Sequence, residues 1–143
     1  MMNGGANVGE MISSRRSDLK FLGYNNAVIN LTPKCKMELV HPNDGTSYAI
    51  SYQLQKYIDS LFSVEKSNLV IMGHYHKMFY MFYRNVHAFL PGCLQAQTPF
   101  QKGKKLAAHI GGFIIEIHVD SEGTITRCKN EFIPCYKPVL PEF

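Results

Sequence analysis

His41, His74 and His76 are the residues of this chain whose type and spacing could do chemistry. His74 and His76 stand two apart in Gly73-His74-Tyr75-His76, directly after the apolar run Leu69-Val70-Ile71-Met72. On an extended backbone, residues i and i+2 project to the same side, so both imidazoles could face one cation. Gly73 would let the chain turn tightly where the strand stops. The carboxyl end of a buried strand is where open α/β sheets place their ligand sites. Neutral imidazoles suit borderline divalent cations such as zinc, manganese or iron(II). Taken alone, a His-x-His is usually a structural or exposed pair. His41, at the end of a second strand, gives the motif a partner.

The elements that must position these residues follow from periodicity. Residues 35–40 read as a strand, and His41-Pro42-Asn43-Asp44-Gly45 supplies turn chemistry directly after it. Residues 46–62 form the strongest helical pattern, with Ile50, Leu54, Tyr57, Ile58 and Leu61 on one stripe and Asp44, Thr46 or Ser47 as its cap. The run at 69–72 suits a strand covered on both faces. Strand, helix and strand over 35–76 make a βαβ-like unit. If its strands are parallel, His41 and the His74/His76 pair emerge on the same sheet edge. Upstream, residues 8–16 read as a short helix and 27–31 as a strand forming a hairpin with 35–40.

From residue 77 onward the pattern turns to strands: 78–83, 86–90, 112–119 and 124–128, with no strong helix between them. Arg84-Asn85 is a hairpin turn. Phe113, Ile115, Ile117 and Val119 alternate with Ile114, Glu116 and His118, which places His118 toward solvent. The aromatic run 78–83 reads as a buried strand, with base stacking as the competing use. His109, before Gly111-Gly112, reads equally as a substrate contact at the mouth of a site or as a satisfied strand-end histidine. His87 has no clear role on this reading. Pro134, Pro138 and Pro141 mark a terminal tail.

Composition narrows the class. The chain has 143 residues, 45% apolar and 18% charged, a globular balance. Its net charge of +4 favours anionic ligands weakly, and its Lys and Arg residues are too scattered for a nucleic-acid footprint. Arg15-Arg16 and Lys102 to Lys105 read first as solvated ends of a helix and a loop. No apolar run approaches the roughly 20 residues of a membrane span, and the first residues lack a signal-peptide pattern. Cys35, Cys93, Cys128 and Cys135 form no framework, so reduced thiols in a cytoplasmic protein are expected. Cys128 and Cys135 are too widely spaced for the usual structural zinc pair.

On this arrangement of histidines, helix and strands, the chain resembles the C-terminal part of the calcineurin-like metallophosphoesterases, of the archaeal and viral type. The resemblance rests on Arg15-Arg16-Ser17-Asp18-Leu19, His41-Pro42, Gly45-Thr46-Ser47-Tyr48-Ala49, Gly73-His74-Tyr75-His76-Lys77, Tyr83-Arg84-Asn85-Val86-His87, Gln97-Thr98-Pro99-Phe100 and Ala107-Ala108-His109-Ile110-Gly111-Gly112. It implies an α+β fold, the C-terminal half of a four-layer αββα sandwich. Residues 1–34 would be a helix and strand entry, 35–76 the βαβ-like unit, and 77–143 a β-rich second sheet and tail. By position, His41 and His74 would bind one divalent ion (manganese, iron or zinc) and His76 the other, for hydrolysis of phosphomonoesters or phosphodiesters, nucleic acids among them.

The family's earlier motifs, Asp-x-His, the bridging Asp and Asn-His, do not occur in this sequence. The chain is therefore expected to start mid-domain. No residue stands in for the catalytic acid histidine, and the bridging carboxylate that spaces two ions is missing. Little or no hydrolysis is expected of this chain alone; it would act with a separate N-terminal half or as a non-catalytic remnant. An edge of the strand at 69–72 left open by that omission would drive self-association or binding of the missing half.

Overall fold

A computed structural model describes residues 7–64 and 66–136. It is a mixed α+β fold with few helices. In chain order the elements are α1 (Val8–Ser13), β1 (Asn26–Asn30), β2 (Lys36–Val40), α2 (Tyr52–Ser60), β3 (Leu69–Met72), β4 (Met78–Tyr83), β5 (Val86–Pro91), α3 (Pro99–Gly103), β6 (Gly111–Val119) and β7 (Ile125–Pro134).

β1 to β5 form one mixed sheet in the order β1-β2-β3-β5-β4, and β6 and β7 form a separate antiparallel pair. β1 pairs with β2 as the expected antiparallel hairpin, while β2–β3 and β3–β5 are parallel. β4 and β5 are joined at Arg84-Asn85, both with positive φ, as the tightest hairpin turns require. β3 lies at the centre of this sheet, between β2 and β5. The expectation of an open edge at 69–72 is therefore overturned: β5 occupies that side, and the edges fall on β1 and β4. For the same reason the aromatic run of β4 lies at an edge and not in the sheet interior.

Alternation along the strands divides the core in two. Val70, Met72, Val86, Ala88 and Leu90 project to one face, where Leu54 and Ile58 of α2 cover them. That helix-side core buries the stripe read from the sequence, although α2 begins at Tyr52 and not at residue 46. The preceding segment is held elsewhere: Lys77 Nζ donates to the Ser47 carbonyl (2.8 Å) and the Gln53 amide to the Gly45 carbonyl (2.6 Å). Phe89 projects to the opposite face, where its ring lies 4.7 Å from Tyr80 and 5.4 Å from Phe113 of β6. Phe113 in turn meets Phe132 of β7 at 5.6 Å. Helix, large sheet and small sheet thus stack as three layers, with Ile114, Glu116 and His118 on the exposed outer face.

β7 runs to Pro134, six residues beyond the expected strand, because it pairs with the whole length of β6. The short helix α3 was not foreseen. Thr98 caps it, Pro99 opens it, and Thr98 with Gln101 forms a complete capping box. No described helix is long and apolar enough to cross a membrane. All four cysteines are free, Cys35 fully buried among them.

Candidate functional site

Parallel pairing of β2 and β3 places Val40 opposite Met72, so the chain leaves both strands at the same sheet end. The Gly73 N–H donates to the Val40 carbonyl at 2.9 Å, which ties the two exits together. His41 and His74 consequently meet edge to face, with ring centroids 5.1 Å apart. This juxtaposition is the one the βαβ reading anticipates.

The backbone beyond β3 is not extended, however. His74 and His76 both adopt left-handed conformations, with φ of 78° and 55°. The i, i+2 argument therefore does not hold here, since the two side chains are aimed by a strained loop and not by strand alternation. Gly73, by contrast, is not among the positive-φ residues, and a Cβ there would find its nearest neighbour, His41 Nδ1, at an ordinary 3.6 Å.

Asp44 organises this loop. The Tyr75 hydroxyl donates to its carboxylate, and the His74 Nε2–H donates to its backbone carbonyl at 3.1 Å. Because a carbonyl can only accept, His74 carries its proton on Nε2 and keeps the Nδ1 lone pair. Burial of the Tyr75 ring and its bond to Asp44 raise the phenol pKa well above its ordinary value. The Asp44 carboxylate is thus committed to a structural bond, with Lys56 at 4.0 Å on its other oxygen.

His76 is held from another direction. The Gln101 side-chain oxygen accepts the Thr98 N–H in the capping box, so its amide NH₂ is the group that donates to His76 Nδ1, at 2.7 Å. A neutral His76 then has its lone pair engaged and a proton on Nε2. His109 is tied to the same loop: its Nδ1 accepts the Met78 N–H at 2.8 Å, and its backbone N–H donates to the His76 carbonyl at 2.8 Å. These bonds hold His109 beside the start of β4.

Separate clefts open beside His41 and beside His74 and His76. One, of about 400 Å³, is lined by Phe21, Leu22, Tyr24, Leu39, His41 and Ile71. The other, of about 470 Å³, is lined by His74, His76, Lys77, Thr98, Phe100 and Gln101. His109 faces neither; it lines a third cleft of about 570 Å³ with Met78, Ile110 and Phe132. Partial desolvation, reinforced by repulsion from His74, lowers the pKa of His41, which favours the neutral imidazole.

The donor set can be weighed directly. His41 and His74, 5.1 Å apart ring to ring, would offer a cation two neutral ligands at most. Among the described residues, no group of three or more His, Cys, Asp or Glu side chains is arranged to hold a metal ion. Asp44, the carboxylate closest in the loop, is spent on Tyr75. The residues do not fit a two-metal centre, which needs a bridging anion between ions about 3.5–4 Å apart. Cys128, the other ligand type considered from the sequence, lies against the Tyr80 hydroxyl between the sheets.

Asp44, Gln101 and Tyr75 are the site residues that sequence reasoning missed. Gln101 was recoverable from Thr98-Pro99-Phe100-Gln101, a capping-box pattern with proline at the first helical position. Asp44 left no such signal, because its partners lie thirty residues away.

Comparison with known proteins adds little to this geometry. No family model matches the chain, and no curated protein matches its sequence. Among solved structures, a single mutant of Vps29 from Entamoeba histolytica is similar over 80% of this chain and 64% of its own, at 16% identity and a TM-score of 0.42. Protein TM1076 of Thermotoga maritima is similar over 85% of this chain and 59% of its own, at 16% identity and a TM-score of 0.36. Vps29 from Chaetomium thermophilum covers 79% of this chain and 60% of its own, at 10% identity and a TM-score of 0.37. The chain therefore spans about three-fifths of the length of these structures. At such scores no property of those proteins transfers to it.

Proposed function

We propose that this chain is a metallophosphoesterase-type module that carries the histidine wing of the site and does not hydrolyse phosphate esters by itself. The observation that supports this reading is the His41–His74 pair. It stands at the carboxyl ends of two parallel strands, 5.1 Å ring to ring, with no uncommitted carboxylate beside it among the described residues. Two neutral imidazoles can hold a single divalent ion weakly, and they supply neither the bridge nor the negative charge of a two-ion hydrolase. The expected role of the isolated chain is binding or scaffolding.

Assays with manganese, zinc and iron(II) against a chromogenic phosphodiester and phosphomonoester test this directly. The expected result is no turnover above buffer, with at most one ion bound per chain and that binding lost in His74→Ala. Turnover that depends on His74 would overturn the proposal.

A second reading is favoured by the apolar cleft beside His41, bounded by Phe21, Leu22, Leu39 and Ile71. A separate segment bearing Asp-x-His and Asn-His motifs would seat against this cleft and bring the absent carboxylates to the histidines. Hydrolysis that appears only on mixing the chain with such a segment would replace the non-catalytic reading with this one.

A further inference from the structure

We propose that β4 is the interface of a symmetric dimer, in which two copies of this chain join edge to edge into one continuous sheet. β4 is an edge strand of six large residues, Met78-Phe79-Tyr80-Met81-Phe82-Tyr83, with no charge and no proline to discourage pairing. Among the described residues, no strand pairs with its outer side.

The hydrogen bonds at the start of the strand show which groups face outward. The Lys77 carbonyl accepts the Gly92 N–H on the β5 side. The His76 carbonyl and the Met78 N–H are bonded to His109 on the opposite side. Backbone groups alternate in direction along an antiparallel strand, so Phe79, Met81 and Tyr83 turn theirs toward β5. Tyr80 and Phe82 turn theirs to the open side.

The exposed donors and acceptors are therefore symmetric about Met81. A two-fold axis perpendicular to the sheet at Met81 sets Tyr80 opposite Phe82 of the second copy, and Phe82 opposite its Tyr80. Each is a hydrogen-bonded pair that exchanges two bonds, about four in all. The same axis sets Met81 against Met81 on the helix side. On the other face it stacks Tyr80 with Phe82 across the junction, and Phe82 is 58% exposed in the single chain. This self-complementarity selects a second copy as occupant, because a two-fold contact must present the same patch to itself. The other edge strand, β1, is bounded by Asn26 and Asn30 and has no comparable run.

Sedimentation equilibrium of the full chain over a wide concentration range tests the interface, together with amide exchange at Tyr80 and Phe82. The expected mass doubles with concentration, and those two amides gain protection in step. Phe82→Lys returns the mass to that of the monomer, whereas Val28→Lys, on the exposed face of β1, leaves the dimer intact. Because the Phe82 side chain is mostly exposed, the lysine should not disturb folding, and circular dichroism verifies this. The exchange measurement on the wild-type chain needs no variant. A wild-type monomer at every concentration, unprotected Tyr80 and Phe82 amides at the highest one, or a dimer that survives Phe82→Lys would each overturn the proposal.

Discussion

The two sides of the large sheet treat their aromatic and polar residues in opposite ways. At the carboxyl ends of β2 and β3, exposed His41 and His74 sit on loops held by side-chain bonds to the backbone, with left-handed conformations at His74 and His76. Between the two sheets, Tyr80, Phe89, Phe113 and Phe132 form a continuous ring contact with no strained backbone among them. His74 and His76 line a cleft on left-handed backbone, whereas the packed rings stand on ordinary backbone. The histidine loops are held by single hydrogen bonds to Asp44, Val40 and Gln101, the aromatic layer by packing.

The largest effect that would break this contrast is loss of the aromatic layer. Phe89 is fully buried and touches rings from both sheets. Phe89→Ala is expected to cost about 3–5 kcal/mol in denaturant unfolding, through lost burial and the cavity left behind. A loss under about 1 kcal/mol would mean that the two sheets are not packed as described.

Glycine substitutions sharpen the comparison at a smaller scale. Gly111, at φ 151°, joins the aromatic layer so closely that a Cβ would lie 2.3 Å from the Ile133 carbonyl and 2.6 Å from the Phe132 ring. Gly111→Ala should destabilise the chain by more than about 1 kcal/mol. Gly73→Ala, in the middle of the histidine motif, should change stability by less than about 0.5 kcal/mol, since nothing crowds that position. Equal costs in thermal unfolding would refute the distinction.

The smallest effect is a pH dependence. His87, half-buried between Tyr80 and Phe82, has its pKa lowered by burial, and the Tyr80 hydroxyl bonds its Nδ1 at 2.9 Å. A group with a depressed folded pKa binds more protons when unfolded. Its contribution is therefore complete above about pH 6.5 and is lost as pH falls through the folded value. Melting temperature should decline from neutral pH toward pH 5, and His87→Gln should flatten that slope more than His41→Gln does. The reverse order would place the more desolvated histidine in the loop region.

Much of the fold was legible in the chain because it is local. Alternation in β6, the stripe on α2, the Arg84-Asn85 hairpin and the continuous apolar run of β3 each reflect contacts within or beside one element. The His41–His74 juxtaposition was legible for a similar reason: parallel strands bring their carboxyl ends together wherever the rest of the sheet lies. The start of α2 was not, because the Gly45 and Ser47 carbonyls are held by the side chains of Gln53 and Lys77, bonds that no helical pattern encodes. Nor was the length of β7, which its partner β6 sets.

What the sequence by itself determined is the identity of the chemical groups: three histidines near two strand ends, and no Asp-x-His or Asn-His to complete them. The tertiary structure alone decided which lone pairs remain and where the sheet ends. Asp44 and Gln101 reach His74 and His76 across thirty and twenty-five residues of sequence, and β5 inserts beside β3 to move the open edge to β4. The physical reason is that a residue's type is fixed covalently. Its protonation site, its partners and its exposure depend on groups that only folding brings within hydrogen-bonding distance.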